Sequence, residues 1–309
     1  MRKTAFLFPG QGAQNVGMGR SFYEKYDAVR QYFKTAQEVT GIDVASLCFE
    51  ENEALNQTEY TQIAMYTTEC AILNVLQEKG IPYEAAAGLS LGEYAALTAA
   101  GALSFKDGCY VIRRRGIYME QAVPEGQGSM AAVLGLSAKQ TEEVLKTSLD
   151  TAKIGIANYN CPGQIVISGE KGEVERAAEV LKQAGAKRVV PLRVSGPFHS
   201  PLLKKAGEEL AEELKNTALH TLQIPYVTNV TAEKVDDISA TRELLAEQVS
   251  SPVRWMQSME NMIADGVDTF VEIGPGRTLA GFMKKINRDV KVCNISAWED
   301  IEKVVGELC

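Results

Sequence analysis

Histidine is scarce in this chain, and its cysteines are not spaced like metal ligands. There are two histidines in 309 residues, and none of the six cysteines forms a C-x-x-C pair. Zinc sites need clustered Cys and His side chains, so we expect no metal and reduced thiols, as in a cytosolic protein. No low-complexity block or repeat period occurs, which argues against a disordered chain or a solenoid.

Long apolar runs are also lacking. No stretch is long enough to span a membrane, and the apolar run near residue 5 ends at Pro9-Gly10, too early for a signal peptide. We therefore expect a cytoplasmic protein that does not enter a membrane. The net charge of −8 gives no field that would attract nucleic acid. The length allows a large domain that carries a smaller one.

Strands alternate with helices over most of the chain, which predicts an α/β fold with a parallel sheet. The expected helices cover 60–79, 92–100 and 106–121. The expected strands cover 4–8, 84–88, 224–228, 269–273 and 290–295.

Residues 125–194 follow a different pattern. Here the predicted order is β-α-β-β-α-β, which is the ferredoxin-like unit. Strands are expected at 129–136, 154–159, 164–168 and 186–194, and helices at 138–148 and 172–184. We predict that this subdomain is inserted into a larger α/β domain made of residues 1–124 and 195–309. A continuous single sheet is the alternative.

Ser90 lies in the segment Gly88-Leu89-Ser90-Leu91-Gly92, which matches the nucleophile-elbow motif G-x-S-x-G. A short apolar strand precedes it and a helix follows. In such a turn the backbones approach closely, so glycine is required on both sides, and the amide of Leu91 would point towards a developing oxyanion. The alternative is a serine that only caps the helix.

A serine nucleophile needs a base, and His199 is the better of the two candidates. It lies in a constrained loop between Pro197 and Ser200-Pro201, where Ser200 is expected to cap the following helix. His220 lies in polar sequence and is expected at the surface. A hydrogen-bonded loop histidine without catalytic function remains the alternative for His199.

Arg115 is expected on the apolar face of its helix. At about 100° per residue it shares one side with Val111, Ile112 and Met119, whereas Arg113 points the other way. A buried arginine requires an anionic partner. That partner could be a structural carboxylate or a substrate carboxylate, and in the second case the transferred acyl group is dicarboxylic.

The glycine-rich segment Phe8-Pro-Gly-Gln-Gly-Ala-Gln14 follows the first strand, but its spacing fits neither a dinucleotide loop nor a Walker loop. Gln11 in this loop is a candidate second donor to an oxyanion.

Taken together, these segments resemble the malonyl-CoA:acyl carrier protein transacylases of fatty acid synthesis. The matching motifs occur in the order of that family: Phe8-Pro-Gly-Gln-Gly-Ala-Gln14, Gly88-x-Ser-x-Gly92, Arg115-Gly116, Asn160-x-Pro-Gly-Gln164, Pro197-x-His199, Gln248-x-x-x-Pro252-Val-x-Trp255 and Glu272-x-Gly-Pro-Gly276. The resemblance implies an α/β-hydrolase-like domain with a ferredoxin-like insertion. It also implies transfer of malonyl from malonyl-CoA to the phosphopantetheine thiol of holo acyl carrier protein, without a cofactor.

The resemblance also implies a role for each matching residue. Ser90 would carry the malonyl ester, and His199 would be the general base and then the general acid. The remaining roles are the oxyanion hole (amides of Gln11 and Leu91), the malonyl carboxylate site (Arg115), the acyl pocket (Phe198, the variant associated with malonyl) and the orientation of His199 (main-chain carbonyl of Gln248). The family usually has histidine before the nucleophile, where this chain has Leu89.

Carrier proteins are acidic, so a local basic patch at Lys187, Arg188 and Arg193 is the candidate docking surface. Three alternatives stay open at this point. They are an acyltransferase of a polyketide pathway, a serine hydrolase and a non-catalytic protein that keeps the fold.

Overall fold

The computed structural model describes residues 3–308, which form two separate β-sheets. Cys309, one of the six cysteines, lies outside the described residues. The strands are β1 (Thr4–Phe8), β2 (Ala85–Gly88), β3 (Gly128–Leu134), β4 (Ile154–Cys161), β5 (Gln164–Glu170), β6 (Arg188–Pro191), β7 (Tyr226–Val227), β8 (Lys234–Val235), β9 (Thr269–Ile273) and β10 (Lys291–Ile295).

Helices alternate with these strands along the chain. They are α1 (Arg20–Lys25), α2 (Asp27–Thr40), α3 (Val44–Phe49), α4 (Thr58–Glu78), α5 (Gly92–Ala99), α6 (Phe105–Gln121), α7 (Ala138–Ser148), α8 (Lys171–Gln183), α9 (Lys204–Lys215), α10 (Thr241–Gln248), α11 (Trp255–Ala264), α12 (Thr278–Ile286) and α13 (Asp300–Leu308). None of the helices within residues 3–308 has the length and apolar character needed to cross a membrane.

The larger sheet has the order β10-β9-β1-β2-β7-β8, and all neighbours except β7 and β8 pair in parallel. It is covered on both faces. Phe6 and Phe8 of β1 pack into one apolar cluster, while Ala5 and Leu7 pack into another on the opposite side. Burial on both faces explains why β1 is a continuous apolar run instead of an alternating one.

The smaller sheet is antiparallel, with the order β4-β5-β3-β6. Its strands are joined through α7 and α8, which pack on one face around a third apolar cluster. This is the βαββαβ connectivity expected from the sequence, so the predicted fold with two sheets is confirmed and the single continuous sheet is wrong. The exact limits at 124/125 and 194/195 stay a prediction.

Two strands are shorter than expected. The strand predicted at 224–228 pairs only over Tyr226–Val227, and the strand predicted at 186–194 is β6, Arg188–Pro191. Proline lacks the N–H that a ladder needs. Pro225 precedes the first of these strands, and Pro191 ends the second.

Candidate active site

Ser90 occupies the sharp turn between β2 and α5, at the carboxyl edge of the larger sheet. Its φ is 56°, in the left-handed region that residues other than glycine rarely adopt. Gly88 and Gly92 make the turn possible. A Cβ on Gly88 would lie 1.9 Å from the carbonyl of Gly92, and one on Gly92 would lie 2.2 Å from the carbonyl oxygen of Phe8. The steric reason predicted for both glycines is therefore confirmed.

Alanine at Gly88 should therefore destabilise the protein strongly. The added Cβ would clash with the backbone of Gly92 and Glu93, which cannot move without distorting β2 or α5, so we expect a loss of about 3 kcal/mol or more in unfolding free energy. Urea or thermal unfolding measures the loss. Gly172→Ala is the matched control, because nothing lies within 4 Å of its added Cβ on α8. A Gly88→Ala protein as stable as this control would contradict the close approach.

Asn229 holds the elbow from behind, and the sequence did not identify it as a site residue. Its Oδ1 accepts from the amide of Ser90 at 2.6 Å, and its Nδ2 donates to the carbonyl of Gly88 at 2.7 Å. A usable signal was its position just after a predicted strand, where side chains of parallel sheets line a cleft.

His199 lies beside Ser90. Its Nε2 is 2.7 Å from Ser90 Oγ, and its Nδ1 is 2.8 Å from the main-chain carbonyl of Gln248. Because a carbonyl only accepts, Nδ1 carries the proton and Nε2 is left to accept the hydroxyl proton of Ser90. Ser200 is at the N-cap position of the short 3₁₀ helix Pro201–Leu203, as predicted, but its side chain makes no capping hydrogen bond. Its hydroxyl donates to the carbonyl of Pro197 instead and braces the loop.

The surroundings of His199 keep it neutral. Burial and, to a smaller extent, the positive charge of Arg115 lower its pKa from 6.5 to about 4. An imidazole with this pKa is unprotonated at neutral pH and can accept a proton. His220, by contrast, is exposed in the segment after α9, where its main-chain amide donates to the carbonyl of Ala102.

Arg115 is buried, with a relative exposure of 1%, on the face of α6 that the sequence predicts. Its guanidinium donates to Gln62 Oε1, Ser90 Oγ and Gln248 Oε1 at 2.8, 3.0 and 2.8 Å. Within residues 3–308 no carboxylate lies in ion-pair distance of it, whereas Arg113 pairs with Glu59 at 2.7 Å. Of the two partners considered from the sequence, a structural carboxylate is therefore absent from the described chain.

A cleft of about 320 Å³ separates the two sheets at this point. Its lining brings together six of the residues predicted from the sequence: Gln11, Ser90, Leu91, Arg115, Phe198 and His199. Gln248 lies behind them and is fully buried. The smaller sheet contributes Asn158 and Asn160, and Phe282 of α12 closes one side. Leu89, in place of the usual histidine, also lines the cleft.

Two main-chain amides border the same cleft. Leu91 is the residue before the first turn of α5, and Gln11 is in the loop after β1. No acceptor within residues 3–308 takes a hydrogen bond from either amide. Free amides at the start of a helix are suited to an anion, so both can donate to an oxygen that becomes negative beside Ser90.

The predicted docking residues lie at the surface of the smaller subdomain. Lys187, Arg188 and Arg193 are all exposed, and only Arg193 also lines the cleft. Three further residues of the site were missed. They are Gln62 and Glu93, which belong to the hydrogen-bond network around Arg115, and Asn158 on β4.

Comparison with known proteins finds similarity over nearly the whole chain. The acyl transferase domain family matches residues 5–300. The malonyl CoA-acyl carrier protein transacylase of Bacillus subtilis is 47% identical over 310 residues, covering 100% of this chain and 98% of the relative. The chain belongs to the malonyl-CoA:acyl carrier protein transacylase family. Members of this family are acyltransferases, which confirms the enzyme class expected from the sequence.

Solved structures of the transacylase family have the same fold. The malonyl CoA-acyl carrier protein transacylase of Clostridium perfringens superposes with a TM-score of 0.94 at 44% identity, covering 99% of this chain and 97% of that one. A malonyl-transacylase in complex with the acyl-carrier protein of a type II polyketide synthase superposes with a TM-score of 0.96 at 37% identity, covering 99% of each chain.

Proposed function

We propose that the protein moves malonyl from malonyl-CoA to the thiol of holo acyl carrier protein through an ester on Ser90. The observation that carries this proposal is the triangle of Ser90 Oγ, His199 Nε2 and the Arg115 guanidinium, with the hydroxyl 2.7 and 3.0 Å from the other two. A nucleophile and its base thus stand beside a buried cation that forms no direct ion pair with a carboxylate of residues 3–308. A dicarboxylic acyl group supplies that missing charge.

In the first half of the cycle Ser90 Oγ attacks the thioester carbonyl of malonyl-CoA. Its proton passes to His199 Nε2, and the carbonyl oxygen becomes an oxyanion that the amides of Gln11 and Leu91 hold. When the C–S bond breaks, His199 returns the proton to the departing coenzyme A thiol. The carbonyl of Gln248 fixes the imidazole in the tautomer that this exchange needs.

In the second half the phosphopantetheine thiol of the carrier protein gives its proton to His199 and attacks the malonyl ester. The C–O bond breaks, and Ser90 takes the proton back. Every proton is exchanged between Ser90, His199 and the two thiols, so the steps require only groups of the chain and its thiol substrates. We further propose that the product serves fatty acid elongation in the cytoplasm.

Arg115 and Phe198 select the acyl group in this scheme. The guanidinium binds the malonyl carboxylate with two parallel hydrogen bonds, as its fork geometry allows. Phe198, which is buried and lines the cleft, limits the space beside the α-carbon and favours malonyl over bulkier branched groups.

The pH dependence of Ser90 acylation should reflect the low pKa of His199. The neutral form is the base, so the rate should stay high at pH 6 and fall only as pH drops through a value near 4. Rapid-quench mass spectrometry of malonyl-Ser90 between pH 4 and 8 measures this fall in the acylation rate. In the malonyl-enzyme the substrate carboxylate offsets the charge of Arg115, which should raise the pKa of His199. The rate of transfer to the carrier should therefore begin to fall at a higher pH than the rate of acylation. A fall in rate centred at pH 6.5 for both half-reactions would contradict this account.

The basic patch is proposed to bind the acidic carrier protein. The double variant Lys187→Glu/Arg188→Glu should raise KM for the carrier by roughly fivefold or more at low salt, and added salt should shrink the difference. Acylation by malonyl-CoA alone should not change. Lys34→Glu is the control, because Lys34 on α2 is exposed and α2 contributes nothing to the cleft. Equal slowing of both half-reactions, or a KM for the carrier that does not change with salt concentration, would contradict docking on the basic patch.

The transferase can be separated from a serine hydrolase with malonyl-CoA and no carrier. We expect about one equivalent of coenzyme A in a rapid burst, followed by slow release, because the malonyl ester reacts slowly with water when no acceptor thiol is present. Continuous fast release would favour a hydrolase.

The remaining alternative is a polyketide carrier as acceptor, which the polyketide-type complex among the similar structures keeps open. Parallel discharge of malonyl-Ser90 by fatty acid and polyketide holo-carriers distinguishes the two.

A further inference from the structure

Gln248 contacts Arg115 through its side chain as well as His199 through its main chain. Its Oε1 accepts from Arg115 at 2.8 Å, while its Nε2 donates to the main-chain carbonyl of Ser90 at 3.0 Å and to Glu93 Oε2 at 2.6 Å. The side chain is fully buried. Its amide is therefore a bridge between a buried cation and a buried acid.

The orientation of this amide decides where Arg115 points. The oxygen and nitrogen ends of a glutamine have nearly the same shape, so only the hydrogen-bond partners distinguish them. The Ser90 carbonyl and the ionised carboxylate of Glu93 both accept hydrogen bonds and cannot donate them. Together they hold the NH₂ end of Gln248, and the oxygen end is left to face Arg115. In the reverse orientation an NH₂ group would face the guanidinium, and an oxygen would face Glu93 and the Ser90 carbonyl.

Glu93 is built into the elbow itself. It lies in the first turn of α5, is 0% exposed, and also accepts from the amide of Asn229 at 3.1 Å. Asn229 in turn holds the amide of Ser90. The Glu93 carboxyl group thus contacts both Asn229, which holds the nucleophile turn, and Gln248, which orients Arg115.

The charges in the network are consistent with this arrangement. Burial raises the pKa of Glu93 to about 7, even though Gln248, the amide of Asn229 and the charge of Arg115 act to lower this pKa. Burial lowers the pKa of Arg115, and the charge of Glu93 acts in the opposite direction. Glu93 is therefore the acid that partly balances Arg115 from a distance without occupying the hydrogen bonds that a substrate carboxylate needs.

We infer that Glu93 is a positioning residue for acyl selectivity: acting through Gln248, it keeps Arg115 charged, unpaired and aimed at the carboxylate of a dicarboxylic acyl group. This inference rests on the proposed malonyl transfer and deepens it. A direct ion pair would saturate Arg115, whereas a neutral side chain at position 93 would leave only the Ser90 carbonyl to fix the orientation of the bridging amide.

The test compares acylation of Ser90 by malonyl-CoA and by acetyl-CoA. Glu93→Gln keeps the size of the side chain and removes its charge. We expect kcat/KM for malonyl to fall about 10- to 100-fold, mainly through KM, and kcat/KM for acetyl to fall less, because acetyl loses only the support that Glu93 gives to Asn229. Glu69→Gln is the matched control, because Glu69 is equally buried on α4 and has no contact with Arg115. Its malonyl-to-acetyl ratio should equal that of the unmodified protein.

A double-mutant cycle shows whether Glu93 acts through Arg115. In an Arg115→Ala background, Glu93→Gln should not change the malonyl-to-acetyl ratio further. Gln248→Met removes the bridge but keeps the main-chain carbonyl for His199, and should reproduce the selectivity loss of Glu93→Gln if that variant folds poorly. An equal loss for both acyl groups, an unchanged ratio, or a further change in the Arg115→Ala background would overturn the inference.

The same data separate this inference from the proposed function. If the unmodified protein does not prefer malonyl, or Arg115→Ala keeps the preference, the proposed function fails. If Arg115→Ala abolishes the preference but Glu93→Gln and Gln248→Met do not, only the role of Glu93 is wrong.

Discussion

Alanine in place of His199 is expected to slow the acylation of Ser90 by about 10²- to 10⁴-fold. The imidazole is the only base in contact with the Ser90 hydroxyl among the described residues, at 2.7 Å, and its other nitrogen is held by the Gln248 carbonyl. Without it the hydroxyl proton has no acceptor during attack. Single-turnover labelling by malonyl-CoA measures the loss directly.

His220→Ala is the matched control, since it removes the other histidine at an exposed position. It should leave the labelling rate unchanged. If His199→Ala labelled as fast as this control, a different base would have to activate Ser90, and the proposed catalytic geometry would be wrong.

Alanine in place of Arg115 is expected to remove malonyl transfer while keeping some acetyl transfer. The malonyl carboxylate would then lie in a buried site without a counter-charge, which costs about 3–5 kcal/mol, or roughly two to three and a half powers of ten in kcat/KM. Acetyl has no carboxylate and is spared this cost. Competition between malonyl-CoA and acetyl-CoA for Ser90 gives the ratio in one experiment.

Arg113→Ala is the control on the same helix, because Arg113 pairs with Glu59 away from the cleft. Arg115→Lys should recover only part of the malonyl activity, since an ammonium cannot make two parallel hydrogen bonds to a carboxylate. Equal loss for malonyl and acetyl in Arg115→Ala would mean that Arg115 is structural.

The fold was largely predictable because its local signals agree with its tertiary structure. β1 is a continuous apolar run because both faces of the sheet are covered, and the helix predicted at 138–148 is α7, which begins with a capping box of Ser137 and Gln140. The short β6 and β7 were overestimated. Their residues have strand propensity, but proline ends the ladder in one and precedes it in the other.

The part of the site that depends on local geometry was also predictable. The phase of α6 placed Arg115 on the buried face, and the glycines beside Ser90 indicated the elbow. The orienting role of Gln248 required the family resemblance, since a main-chain carbonyl leaves no trace in the residue type. Asn229 and Glu93 were missed because their partners are far away in sequence, with Asn229 139 residues from Ser90.

The most direct test of the account is the mass of the Ser90 peptide before and after addition of holo-carrier protein. Malonyl-CoA alone should add one malonyl group to that peptide, and Ser90→Ala should abolish the label. Holo acyl carrier protein should then remove the label and become malonylated itself, whereas the apo carrier, which lacks the thiol, should leave it in place. A Ser90 peptide that never gains malonyl, or a label that only water removes, would contradict the central claim.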